Sequence, residues 1–309
     1  MTNRSFLLAG ALSLTLLVPL LPAPAAAQAP TVSAILAPGA TPRLVSRQFS
    51  FTEGPAVDKA GNVFFTDQPN NKIWKYSLDG QLSVFLEQAG RSNGLYFDRK
   101  GNLLACADEH NQLWSVTPDG KVTVLLKDVQ GRILNGPNDL WLQPKTGGLY
   151  FTDPYYQRPY WTRQQPDPAL GGQHVYYLPA GATQPVVADD KLQQPNGIIG
   201  TPDGKLLYVA DIGANKTYRY QIGPNGQLQN RQLFVEQGSD GMTIDNQGNV
   251  YLTGNGVIVY NPAGQKIEQI AIPEKWTANV CFGGKKRDVL FITASGAVYV
   301  LPMRVRGGR

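Results

Sequence analysis

The sequence predicts an all-β fold, a six-bladed β-propeller, on three observations. A pattern of polar residue, short apolar strand, turn and second apolar strand returns six times, each copy followed by more strand material. Helical periodicity appears nowhere beyond an N-terminal apolar run. The sixth copy ends one strand short, while a spare strand precedes the first copy. The ring is therefore expected to close with that N-terminal strand, which protects both sheet edges.

Taken in chain order, residues 1–27 come first. Arg4 precedes the apolar run FLLAGALSLTLLVPLLPAPAAA, which ends in small residues before Gln28. This order of basic, apolar and small residues is that of a secretory signal peptide cut after Ala27. Prolines interrupt the run, and its apolar core is short for a membrane span. The expectation is a single propeller domain over 28–309, periplasmic or secreted, with no membrane partner after signal cleavage. RLVSRQFSF is the spare strand. Blade one begins at Glu53 with EGPAVDKAGNVFFTD and continues with KIWKYS and LSVFLE. Blade two begins at Asn93 with NGLYFDRKGNLLACAD, and blade three at Asn138 with NDLWLQPKTGGLYFTD. Blade four begins at Asn196 with NGIIGTPDGKLLYVAD, and blade five at Asp240 with DGMTIDNQGNVYLTG. The last copy, from Asn279, supplies only NVCFGG, VLFITA and AVYVLP. Asp79-Gly80, Asp119-Gly120 and Asn225-Gly226 are the turn pairs that hairpins need.

Composition excludes some classes. The formal charge of +5 is scattered, apart from the final MRVRGGR, which reads as a frayed terminus rather than a lipid-binding device. A nucleic-acid partner would need a basic stripe with stacking aromatics, and none is present. Cys106 and Cys281 lie in apolar strands of non-neighbouring blades, so two buried thiols are expected rather than a disulfide. Nothing in the sequence sets the oligomeric state.

The innermost strand of each propeller blade lines the central channel, so Glu53, Asn93, Asn138, Asn196, Asp240 and Asn279 form one ring at one mouth. Singly, each is an ordinary turn residue. Six carboxylates or carboxamides in register are hard to explain by turn chemistry. Oxygen donors carrying two negative charges suit one hard divalent cation, with Ca²⁺ favoured and Mg²⁺, Mn²⁺ or Zn²⁺ as alternatives. The two histidines, His110 and His174, do not make a zinc set. His110 reads as a structural rim residue. Asp67, Asp108, Asp153 and Asp211 end second strands near the same mouth; each either holds a neighbouring loop through backbone N–H groups or acts on substrate. The long segment after Asp153, PYYQRPYWTRQQPDPALGG, carries Tyr155, Tyr156, Tyr160 and Trp161. It either presents a flat surface to a sugar or aryl face or packs as a surface loop.

FTEGP, LNGPND, YFTDPYY, PNGI, LYVAD, DGM, and NVCFGG with LFITA resemble the gluconolactonase/regucalcin-like family, especially its bacterial gluconolactonase branch, in order along essentially the whole mature chain. The resemblance implies a six-bladed propeller that hydrolyses sugar lactones, such as glucono-1,5-lactone, using one divalent cation. Glu53, Asn196 and Asp240 match its metal ligands, and Asn138 matches an Asn that contacts metal or substrate. Regucalcin-type members carry an Arg where this chain has Gly136; Arg132 or Arg91 are the local substitutes. On this reading Asp240 is the general base and Glu53 acts with it. Asn93, Asn138 and Asn279 orient the lactone, Tyr155 and Trp161 face it, and Asp139 is a reserve base expected to point away from the channel. The alternatives are aryl-ester or organophosphate hydrolysis at the same metal, and a non-catalytic binding propeller braced by calcium.

Overall fold

Antiparallel pairing joins each repeat into a four-stranded sheet, and six such sheets make the propeller. The computed structural model describes residues 1–2, 33–161 and 165–308. The expected signal peptide lies outside the described residues apart from its first two. Among the described residues no helix is long and apolar enough to cross a membrane.

The innermost strands are Thr52–Val57, Leu95–Phe97, Leu140–Leu142, Pro195–Gly200, Met242–Ile244 and Thr277–Gly283 in blades one to six. Burial falls off outwards. Second strands Val63–Asp67 and Leu149–Asp153 are buried at every position, because both faces meet neighbouring blades. The outermost strand Val122–Leu126 buries only its last residue. Between blades one and two, Phe64 packs edge-on against Phe85 and Phe97, with centroids 4.9 and 5.1 Å apart.

The ring closes as expected. Arg43–Ser46 pairs with Ala297–Pro302, so the sixth sheet holds the first strand and the last three. The strand is shorter than RLVSRQFSF: Phe49 instead turns inward, 5.1 Å from the ring of Phe65 and 5.4 Å from that of Trp74. Cys106 and Cys281 are both buried free thiols, in blades two and six. The C-terminus is not frayed. Met303 and Val305 are buried, and the backbone N–H groups of Gly307 and Gly308 donate to Arg287 and Ile244 carbonyls at 2.8 and 3.0 Å. The segment thus straps the channel mouth opposite the ring residues. Its backbone bonds, invisible in a basic, non-periodic sequence, replace the fraying that composition suggests.

Candidate functional site

The ring residues are held by two devices. The first is close approach of inner strands. A Cβ on Gly54 would come within 2.0 Å of the Asn93 carbonyl oxygen, and one on Gly241 within 1.8 Å of the Asn279 carboxamide. The Glu-Gly and Asp-Gly pairs are therefore requirements of packing around the channel rather than turn formers. The second is a set of buried threonines on the second strands. Thr66 donates to the Asn93 carbonyl at 3.1 Å, Thr152 to the Asn196 carbonyl at 2.8 Å and Thr293 to the Asn279 carbonyl at 3.1 Å. Register shifts beside Glu53, Asn196 and Asn279 re-aim those residues within their strands.

All six ring side chains are buried, Glu53 at 2% and Asp240 at 8% exposure. Glu53 Oε2 accepts from the Gly54 N–H at 2.8 Å and from Asn279 Nδ2 at 3.2 Å. Asp240 Oδ2 accepts from the Trp276 indole N–H at 2.6 Å. Asn196 Nδ2 donates to the Tyr156 hydroxyl at 2.7 Å, while Asn196 Oδ1 is buried with no hydrogen-bond partner. Burial, with the nearby Asp240 charge, pushes the Glu53 carboxyl well above the usual range. Burial raises Asp240 too, opposed by hydrogen bonds from Trp276 and Asn196 and by the Arg158 charge.

Asp139 departs from expectation. It lines a cavity of about 370 Å³ that runs along the channel beneath the ring, with Gly54 and Asn279 at the same end and Arg287 near the opposite mouth. The regular strand starts only at Leu140, so strict inside–outside alternation does not yet govern Asn138 and Asp139. Burial pushes the Asp139 carboxyl up to about 7. Glu53, Asn196 and Asp240 do not border this cavity.

Residues 154–161 lie over the ring, where the Tyr156 hydroxyl meets Asn196. Arg158 pairs with Asp108 at 3.0 Å and lies 4.7 Å from the Tyr156 ring centroid, and Arg91 stacks 4.4 Å from that of Tyr160. Asp153 and Asp211 hold loops as one alternative had it, accepting from backbone N–H of Asn135 and Gly136, and of Gln193 and Gln194. Asp67 does the same for Ser50 and Phe51. Asp108 instead takes the side chains of Gln68, Arg158 and Tyr160. Trp161 is 8% exposed, and Tyr155 is half-buried with its ring 5.4 Å from that of Trp161. No side chain fits at Gly136, where a Cβ would meet Asp108 and the Trp161 ring at 2.4 and 2.8 Å. Arg132 is exposed and Arg91 pairs with Glu109 at 3.0 Å. The cation that reaches the site is Arg158, and it, with Trp276, carries no motif that could have singled it out.

Residues 51–296 match the family model described as the SMP-30/Gluconolactonase/LRE-like region. The chain belongs to that family. A gluconolactonase of Zymomonas mobilis is 29% identical over 300 residues, covering 86% of this chain and 82% of its own length. The structure of a gluconolactonase from Xanthomonas campestris, 27% identical, superposes with a TM-score of 0.80 over 87% of this chain and 91% of its own. A calcium-binding regucalcin from Agrobacterium tumefaciens shares the fold at 19% identity, with a TM-score of 0.72 over 87% of this chain and 95% of its own. In these SMP-30/gluconolactonase/LRE-like proteins the six-bladed propeller is the shared frame.

Proposed function

We propose that this protein hydrolyses sugar lactones, of which glucono-1,5-lactone is the type, with one divalent cation held by Glu53, Asn138, Asn196 and Asp240. The observation that carries the reading is the pairing of two buried, mutually repelling acids with a buried, unpartnered carboxamide oxygen, Asn196 Oδ1. Two buried carboxylates are costly unless an opposite charge joins them. Among the described residues no three His, Cys, Asp or Glu side chains are grouped to hold a metal. The donor set is instead two carboxylates with carboxamides, which suits an oxygen-seeking ion such as Ca²⁺. Support for the substrate comes from the gluconolactonase relatives of Zymomonas and Xanthomonas. The regucalcin described as calcium-binding supports the ion.

The bound ion would supply Lewis-acid polarisation of the lactone carbonyl and offset charge on the tetrahedral oxyanion. The chain supplies the rest. Asp240 is the carboxylate that takes a proton from the attacking water. The water oxygen bonds to the carbonyl carbon, the bond to the ring oxygen breaks, and the proton passes to that leaving oxygen to give the open aldonic acid. Asn93, Asn138 and Asn279 are placed around the channel to orient ring oxygen and hydroxyls. Tyr156 and Arg158 stand over the mouth, where they limit the water that reaches the site.

The test is proton release from D-glucono-1,5-lactone, with an aryl ester as comparison. Hydrolysis that stops in chelator and returns with added Ca²⁺ is expected. Undiminished turnover in chelator, or no lactone turnover with any cation, overturns the reading. Export is part of the same proposal: N-terminal sequencing of protein from the extracytoplasmic fraction should begin at Gln28.

A further inference from the structure

Two side chains outside the ring each touch one ring donor through one hydrogen bond. Trp276, the residue before the inner strand Thr277–Gly283, donates its indole N–H to Asp240 Oδ2 at 2.6 Å. Tyr156, three residues beyond Leu149–Asp153, accepts from Asn196 Nδ2 at 2.7 Å. Carboxylate and carboxamide groups are planar with two polar ends, so fixing one end orients the other. The other ends are Asp240 Oδ1 and Asn196 Oδ1, and the latter is buried with no hydrogen-bond partner. Buried polar atoms are ordinarily satisfied, so this oxygen calls for a partner other than a protein hydrogen bond.

Packing alone does not account for Trp276. It is 37% exposed, and its polar nitrogen is the end turned into the protein. Nor does the loop's own anchoring need the Tyr156 hydroxyl. The segment is already tied to Asp108 through Arg158 and Tyr160, and Gln194 Nε2 donates to the Tyr155 carbonyl at 3.1 Å.

We propose that Trp276 and Tyr156 are positioning residues for the divalent cation, holding Asp240 Oδ2 and Asn196 Nδ2 so that Asp240 Oδ1 and Asn196 Oδ1 are the atoms offered to it. This inference rests on the metal-dependent reading above. Partners that orient a metal's ligands commonly contribute ten- to a hundred-fold in affinity or activity when removed, about the range expected here.

The experiment uses purified full-length protein stripped with chelator, then titrated with Ca²⁺ against a chromophoric chelator. Trp276→Phe and Tyr156→Phe are each expected to weaken Ca²⁺ binding by about ten- to a hundred-fold. The metal-free melting temperature should stay close to that of the parent. Indole N–H resonances provide a second readout in the unaltered protein: the signal absent from Trp276→Phe is expected to shift when Ca²⁺ is added. Parent-like affinity in either variant overturns the assignment for that residue, and an unmoved Trp276 resonance overturns it for Trp276. In both cases Ca²⁺ binding by the parent leaves the metal reading standing. If the parent binds no Ca²⁺, while Glu53→Gln behaves identically, the metal reading itself fails.

Discussion

At Glu53 the chain buries an acid whose ionised form both burial and the Asp240 charge oppose. Glu53→Gln removes that conflict along with a ligand. The variant is expected to lose lactone hydrolysis yet melt in chelator at or above the parent temperature; calorimetry with and without chelator checks this, and a large loss in chelator would make Glu53 a structural residue. Thr152 serves a ring residue and the neighbour of another at once, donating to the Asn196 carbonyl and accepting from the Asp139 N–H at 3.1 Å. Thr152→Val strands both buried groups and should cost about 1–3 kcal/mol in urea unfolding. The ring residues were legible in the sequence because each repeats at the same place in its copy. Trp276 was not: its partner Asp240 lies 36 residues away, and no local pattern marks the contact. Asp139 was misplaced because alternation was applied one residue before regular strand geometry begins.

Among the elements, the closing strand is the one whose loss changes most. Without Arg43–Ser46, the strand Ala297–Pro302 becomes an open edge able to pair with another chain. Deleting residues up to Ser46 should give aggregates on size exclusion and a lower melting temperature. Just after this strand, Arg47 and the Tyr299 hydroxyl bond Glu274 Oε1 at 2.6 and 2.7 Å. Tyr299 first, then Arg47, hold that carboxyl below its usual range. Its ionised form is thus favoured by the fold, so the stabilisation is present above the ordinary carboxylate pKa of about 4.3 and lost as pH falls through the depressed value. Arg47 is more than half exposed, so solvent screens the pair and keeps the effect small. Glu274→Gln should flatten the stability profile in that acidic window and leave it parallel to the parent at neutral pH. Strand closure could be read from the sequence because the strand count was uneven. The C-terminal strap could not, since Gly307 and Gly308 are held by backbone bonds that side-chain composition does not encode.

For the molecule as a whole, an ion bound only by the folded ring stabilises it by mass action. At about a hundred times its dissociation constant the gain is about 2.7 kcal/mol. For a chain of this size, that is a melting shift of about 5–10 °C, expected with Ca²⁺ and absent in Glu53→Gln. The six-fold architecture was readable because every blade restates one local pattern; the roof over the mouth, made by a single non-repeating segment, was not. The pairing of Arg43 with Val300 has a temporal consequence. A ribosome must reach Val300 before Arg43 can find the neighbour it needs, so the circle can be sealed only after all six blades have been made.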